Sequence, residues 1–294
     1  MISLAILVEG SACAWGSYAE LKRDRPGHES EVLSCLMRAI VSFANAHLSL
    51  SASNRLLLYT YADGIKKKLL YDSLRSESPD SSSCMIGSLR NALSENALSG
   101  DSRQCGLLAA TLATAICQLR KAAIVSAQVP VGTEGGSSST RQSGRIVIIS
   151  LSPLFGSQHS LLMNLFFSAH KHDICVDVVS LGGSSALLQQ AADITAGVFV
   201  EAPRPEELVR VLMTRCLPVS RRIESHSSVD FRAACACHET LVSNGWTCSV
   251  CLAVLCTFLP ICPSCGAVFK IAALGRRKRK RPTEVMNGNV PSNR

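Results

Sequence analysis

Aromatic side chains are scarce: two tryptophans, four tyrosines and eight phenylalanines make up 5% of the 294 residues. Hydrophobic residues still reach 47%, so the core has to be aliphatic. That is enough apolar material for one domain of sizeable core plus a small module. Phosphate-binding glycine loops are missing too. No Gly-x-Gly-x-x-Gly follows an apolar run and no Gly-x-x-x-x-Gly-Lys-Ser/Thr occurs, which removes two common nucleotide-binding signatures. No Asn-x-Ser/Thr acceptor is present, in keeping with an intracellular chain. No uninterrupted apolar stretch reaches transmembrane length, and the uncharged run from Cys248 to Cys262 is too short to span a bilayer.

Acidic residues are outnumbered 22 to 30, for a formal net charge of +8. The run Arg276-Arg277-Lys278-Arg279-Lys280-Arg281 carries six of those charges; subtracting it leaves +2. That balance does not describe a protein that coats nucleic acid. The N-terminal run Met1–Val8, followed by Ala12-Cys13-Ala14, mimics a signal peptide with its cleavage site. It has no basic leader, is interrupted by Glu9 and is short, so it reads as a buried first strand.

Cysteine is what the chain has in quantity, and half of its 14 cysteines fall between Cys235 and Cys265. Cys248-x-x-Cys251 and Cys262-x-x-Cys265 have the layout of a tetrahedral zinc site. Two intervening residues let one tight turn aim both sulfurs at one ion, and a second turn supplies the other two. In the second turn Pro263 presets φ, and Gly266 can take positive φ to turn amides towards sulfur. Leu252-Ala253-Val254-Leu255, Phe258 and Phe269 are the expected apolar shell. So short a segment cannot bury enough surface to fold alone, so the metal has to supply folding free energy. Disulfides are the alternative, disfavoured by the intracellular character of the rest. Cys235, Cys237, His238 and Cys256 remain. In a cross-braced module Cys235 and His238 would pair, and Cys256 would need a mate three residues on, where Leu259 stands. The four therefore read as a half-lost second site, with a second zinc held by some combination of them as the alternative.

Residues 3–8 are apolar throughout, as in a strand buried on both faces. Leu33, Leu36, Ile40, Phe43 and His47 recur at helical spacing from Glu29 to Leu48. Arg55–Tyr61 reads as a second strand, and Lys66–Tyr71 as an edge strand blunted by lysine. A Ser-rich loop over 72–83 precedes helices at Met85–Leu98 and Gly106–Ile124. Residues 126–144 form a Gly/Ser/Thr-rich insertion without period. Arg145–Leu151 is the clearest buried strand, then come a helix at Gln158–His170, a strand at Ile174–Leu181, a helix at Ala186–Asp193, a strand at Gly197–Val200 and a helix at Pro205–Cys216. Alternation of this kind predicts an α/β fold with a doubly wound, mostly parallel sheet, whose ligands sit at the carboxyl ends of the strands.

Those loops are chemically thin. Glu9-Gly10-Ser11-Ala12-Cys13 follows the first strand and Ser150-Leu151-Ser152 the central one. A hard divalent cation asks for more oxygen and charge than that. The helical histidines, among them His47 and His159, read as packed or surface residues. Gly100-Asp101-Ser102 reads as a helix cap, and Cys105 and Cys117 as small core residues rather than nucleophiles.

Two stretches carry a resemblance: Leu187-Leu188-Gln189-Gln190-Ala191-Ala192-Asp193-Ile194-Thr195-Ala196-Gly197, and Asp230-Phe231-Arg232-Ala233-Ala234-Cys235 leading through Cys237-His238 into Cys248-Ser249-Val250-Cys251. On these residues the chain resembles the subunit 3 family of general transcription factor TFIIH, which joins a von Willebrand A-type domain to a zinc module and a basic tail. The resemblance implies a von Willebrand A-like domain over residues 1–219; the insertion at 126–144, expected to be disordered from its composition, is longer and more Gly/Ser-rich than the family needs. It further implies a four-cysteine zinc module over 230–271 and a disordered basic tail over 272–294. It implies a non-catalytic subunit of the TFIIH core in the nucleus, acting by protein–protein contact in RNA polymerase II initiation and nucleotide excision repair. The expected partners are the larger TFIIH subunit with its own von Willebrand A domain and zinc modules, and other core subunits. Neither a membrane nor a small-molecule substrate is expected. Metal-competent von Willebrand A domains carry Asp-x-Ser-x-Ser after the first strand. Here Glu9-x-Ser11-x-Cys13 stands in its place, no carboxylate stands at 150–152, and no threonine is evident near Gln104-Cys105-Gly106. No bound Mg²⁺ is expected. The cofactor expected is structural Zn²⁺.

Two alternatives compete. The zinc module and the six-residue basic run could bind DNA, but the run has no aromatic neighbours for stacking and reads first as a nuclear localisation signal. Contact of the tail with DNA is then indirect or weak. A ubiquitin-ligase module of cross-braced type is the other, weakened by the incomplete second ligand set.

Overall fold

The computed structural model describes residues 2–22, 29–62, 65, 68–76, 80–99, 108–127, 144–152, 158–202, 204–217, 229–238 and 240–269. The apolar runs form one six-stranded sheet. In chain order the elements are β1 (Ser3–Glu9), α1 (Ala12–Lys22), α2 (Glu29–Leu50), β2 (Arg55–Tyr61), β3 (Leu69–Asp72), α3 (Ser81–Ser99), α4 (Leu108–Ala127), β4 (Gly144–Ser150), α5 (His159–Lys171), β5 (Ile174–Ser180), α6 (Ala186–Ile194), β6 (Phe199–Glu201) and α7 (Pro205–Val211). A π-helical turn, Leu212–Cys216, extends α7. Strand order is β3-β2-β1-β4-β5-β6. All neighbours are parallel except β3, which pairs antiparallel with β2 at the edge.

Every residue of β1, β4 and β5 is buried, which is why these strands read as unbroken apolar runs. Leu4, Ile6 and Val8 pack towards α1, α2, α3 and α7. Ala5 and Leu7 pack towards α4, α5 and α6. The doubly wound, mostly parallel α/β sheet anticipated from the sequence is what the chain forms.

Several boundaries differ. Helix α1 was not anticipated; it begins at Ala12, so Cys13 lies on a helix rather than in a loop. Helix α3 begins inside the expected Ser-rich loop, because Asp80 Oδ1 accepts the amides of Ser82 (3.0 Å) and Ser83 (3.2 Å) and caps it. Cys117, expected in the core, is exposed on α4. Helices over Ser30–Leu50 and Leu108–Val125 are long and apolar enough to cross a membrane by length and composition. Here one face of each packs on the sheet. Lys66, Lys67, Gly100-Asp101-Ser102, Cys105, residues 128–143 and the basic run 276–281 lie outside the described residues.

One polar feature of the core escaped the sequence pattern. Asp177, on β5, is fully buried. Its Oδ2 pairs with Arg145 Nε of β4 at 2.8 Å, and its Oδ1 accepts the Val198 amide at 2.9 Å. Arg145 also donates through Nη1 to the carbonyl of Cys216. Arg145 thus ties β4 and β5 to the π-helical turn that extends α7.

Candidate metal centre

The C-terminal module is built from two small hairpins. β7 (Ala233–Ala234) pairs with β8 (Leu241–Val242), and β9 (Trp246–Thr247) with β10 (Val254–Leu255). Cys248 follows β9 directly. Its amide donates to Ala253 O, and Leu252 N returns to Cys248 O, both at 2.9 Å. That closed turn puts Leu252 at φ 61°, left-handed for a branched residue, and leaves its side chain 71% exposed rather than in the expected apolar shell. The second turn repeats the pattern. Cys262 N donates to Ala267 O and Gly266 N to Cys262 O, again at 2.9 Å, with Gly266 at φ 70° as its position demanded.

The two turns face each other. Cys248 and Cys265 sulfurs are 3.7 Å apart, as are those of Cys251 and Cys262, and all four lie within 4.8 Å of one another. Sulfurs on a tetrahedral ion with bonds near 2.3 Å stand about 3.8 Å apart, so the donor set fits zinc. Amides aimed at sulfur favour the thiolate form. Hydrogen bonding by the Cys251 backbone, helped by Val250, draws the Cys248 thiol down to about 6. Around the cluster, Ala253 and Leu255 are buried. Trp246, not among the residues expected in the apolar shell, meets Phe258 edge-on at 5.4 Å, and Phe258 meets Phe269 at 6.4 Å.

The remaining four donors also converge. Cys235 N donates to Thr240 O at 2.9 Å. Cys237 and Cys256 sulfurs are 3.3 Å apart, His238 Nδ1 lies 3.2 Å from Cys256 and 4.0 Å from Cys235, and all four donor atoms fall within 4.8 Å. A mate for Cys256 was expected at position 259; the fold brings up Cys237 instead. The Thr240 hydroxyl, 3.4 Å from the Cys235 sulfur, draws that thiol down to about 5, with help from backbone amides.

At the carboxyl ends of the strands the picture is different. Glu9 is buried, and its carboxylate is fully engaged. Oε2 accepts the amides of Leu151 (2.8 Å) and Ser152 (2.9 Å), and Oε1 accepts the Ser152 hydroxyl. Ser11 caps α1, its Oγ accepting Ala14 N at 3.3 Å, and Cys13 is exposed on the helix. Glu9 and Ser11 are therefore each engaged by backbone of the chain itself. Trp15 Nε1 donates to the Glu9 carbonyl at 2.6 Å and pins the strand end from the helix side. Gly182 completes this rim: a β-carbon there would lie 1.6 Å from Leu151 O.

The module is tethered to the sheet domain. Gln190 Nε2 on α6 donates to Asp230 O at 2.6 Å, and Asp230 N reaches Gln189 Oε1 at 3.5 Å.

Comparison with known proteins agrees with this architecture. The family model for transcription factor Tfb4 matches residues 1–266. The TFIIH subunit tfb4 of Schizosaccharomyces pombe is 27% identical over 287 residues, covering 93% of this chain and 91% of that protein. The TFIIH subunit TFB4 of Saccharomyces cerevisiae is 29% identical, covering 94% and 88%. General transcription factor IIH subunit 3 of Dictyostelium discoideum is 36% identical over 146 residues, which are 47% of this chain and 39% of that protein. The crystal structure of the TFIIH p34 N-terminal domain superposes with a TM-score of 0.55 at 26% identity, covering 73% of this chain and 97% of that one. The chain belongs to the Tfb4 family of transcription factors.

Proposed function

We propose that this chain is a non-catalytic structural subunit of the TFIIH core, working in the nucleus in transcription initiation and nucleotide excision repair. Family membership supports the complex, since the matched relatives are general transcription and DNA repair factor subunits. The observation that carries the non-catalytic part is the engagement of Glu9. This carboxylate, at the mouth of the sheet, is spent on the amides of Leu151 and Ser152 rather than directed at a substrate or cation. In this reading residues 1–219 form a von Willebrand A-like domain, 230–271 a zinc module and 272–294 a basic tail. Cys248, Cys251, Cys262 and Cys265 hold structural Zn²⁺, which supplies the folding free energy of the module and no open coordination position.

The partner is the larger TFIIH subunit that also carries a von Willebrand A domain and zinc modules. Direct nucleic-acid binding by the module is disfavoured, because no charged residue occurs from Thr240 to Phe269. The gathered second donor set removes one objection to a ubiquitin-ligase module, so that reading is tested directly: the full chain should give no autoubiquitination. Co-expression with the larger subunit followed by affinity purification is the main test. A stable pair is expected. Purification free of every other TFIIH subunit overturns the proposal.

A further inference from the structure

We infer that Cys235, Cys237, His238 and Cys256 bind a second zinc ion, making the module binuclear and cross-braced. The inference rests on the zinc reading of the first four cysteines and extends it. Its first support is backbone geometry. Cys235 N to Thr240 O, Cys248 N to Ala253 O and Cys262 N to Ala267 O are the same bond, from residue i to residue i+5, each at 2.9 Å. Cys235-x-x-His238 is thus a third turn of the shape that presents Cys248-x-x-Cys251 and Cys262-x-x-Cys265. A chain with no use for Cys235 and His238 as ligands has no reason to wind them into that turn.

The second support is the donor set. Tetrahedral zinc with sulfur at about 2.3 Å and nitrogen at about 2.05 Å gives sulfur–nitrogen edges near 3.6 Å. The two edges at His238 Nδ1, 3.2 and 4.0 Å, bracket that value. The Cys237–Cys256 separation of 3.3 Å is too long for a disulfide and suits two ligands of one ion. Three sulfurs and one imidazole nitrogen make a closed structural set.

The third is connectivity. Cys248 follows β9 into the first set, while Cys256 follows β10 into the second. One hairpin therefore hands one ligand to each ion. Ala236 N, inside the Cys235 turn, bonds Val254 O of β10 at 2.7 Å, so the two sets share a backbone frame.

Zinc counting on the full chain by native mass spectrometry, with elemental analysis, tests this. Two zinc ions per chain are expected, falling to one in Cys256→Ser. One zinc in the wild type, retained in Cys256→Ser and lost in Cys265→Ser, overturns the second site and leaves the first intact. No zinc in any form overturns both. Should Cys256→Ser fail to fold, ¹¹³Cd-substituted wild-type protein decides. Two resonances are expected, one of them shifted from the four-sulfur position by a nitrogen ligand. A single four-sulfur resonance overturns the inference.

Discussion

Replacing Glu9 by alanine should destabilise the sheet domain and leave the cysteine module alone. The carboxylate accepts two backbone amides, at 2.8 and 2.9 Å, and the Ser152 hydroxyl. Hydrogen bonds to a charged group contribute about 1.5–3 kcal/mol each. They do not add fully, because Ser152 is half-buried and water recovers part of its share. Leu151 is buried, and its amide would be left unpartnered at a cost of about 1–3 kcal/mol. The expected loss for Glu9→Ala is about 3 kcal/mol. Glu9→Gln keeps an oxygen for the amides and an NH₂ that can face the Ser152 hydroxyl, so about 1 kcal/mol should go. Urea unfolding followed by fluorescence reads this well, since Trp15 is buried and bonded to the Glu9 carbonyl. Trp246→Phe removes the other indole. With a slope near 2 kcal/mol per molar urea, the midpoint should fall by about 1.5 M for alanine and by about 0.5 M for glutamine. An unchanged alanine midpoint would mean that the carboxylate does not hold the loop. In the same spirit, calorimetric titration should find no saturable Mg²⁺ site tighter than millimolar, and finding one would refute the account of a self-satisfied rim.

Arg145→Met should cost about 3–5 kcal/mol, because it strands the buried Asp177 carboxylate. Arg145→Met with Asp177→Asn, which keeps an acceptor for the Val198 amide, should recover most of it in the same urea assay. Cys248→Ser should open the module, seen as new protease cleavage between residues 240 and 269, while the sheet domain's stability changes by less than about 0.5 kcal/mol. Deleting residues 276–281 should mislocalise the chain without loss of co-purifying TFIIH subunits; retained nuclear accumulation would remove the localisation role.

Most of the sheet was legible because β1, β4 and β5 are buried on both faces and therefore uniformly apolar. Helix α1 was not, since its apolar residues Trp15, Tyr18 and Ala19 follow a stretch that looks like a cation-binding loop. That Cys248, Cys251, Cys262 and Cys265 come together was legible from spacing alone, because each turn carries two cysteines three residues apart. The pairing of Cys237 with Cys256 was not. It depends on β7 and β8 bringing the Cys235 turn across to β10, and two-residue strands leave no periodic trace in a sequence. Asp177 was hidden for a related reason: alternation of Ile174, Val176 and Val178 marks one face of β5 and says nothing of what covers the other.

The two stretches that carried the family resemblance turn out to touch. Gln189 and Gln190 from the first hydrogen-bond the backbone at Asp230, within the second. Both donors and acceptors there are neutral, and only the 2.6 Å bond from Gln190 is short. A net contribution of about 1 kcal/mol is what such a bond supplies. That is enough to set where the module begins on the surface of α6. It is too little to transmit unfolding from one unit to the other, when a structural zinc site contributes about 10 kcal/mol or more to its own module. Gln190→Ala should therefore free the strap around Asp230 to amide exchange while leaving both the zinc content and the sheet-domain midpoint in place. If it lowered either, the sheet and the module would share one core rather than a tether.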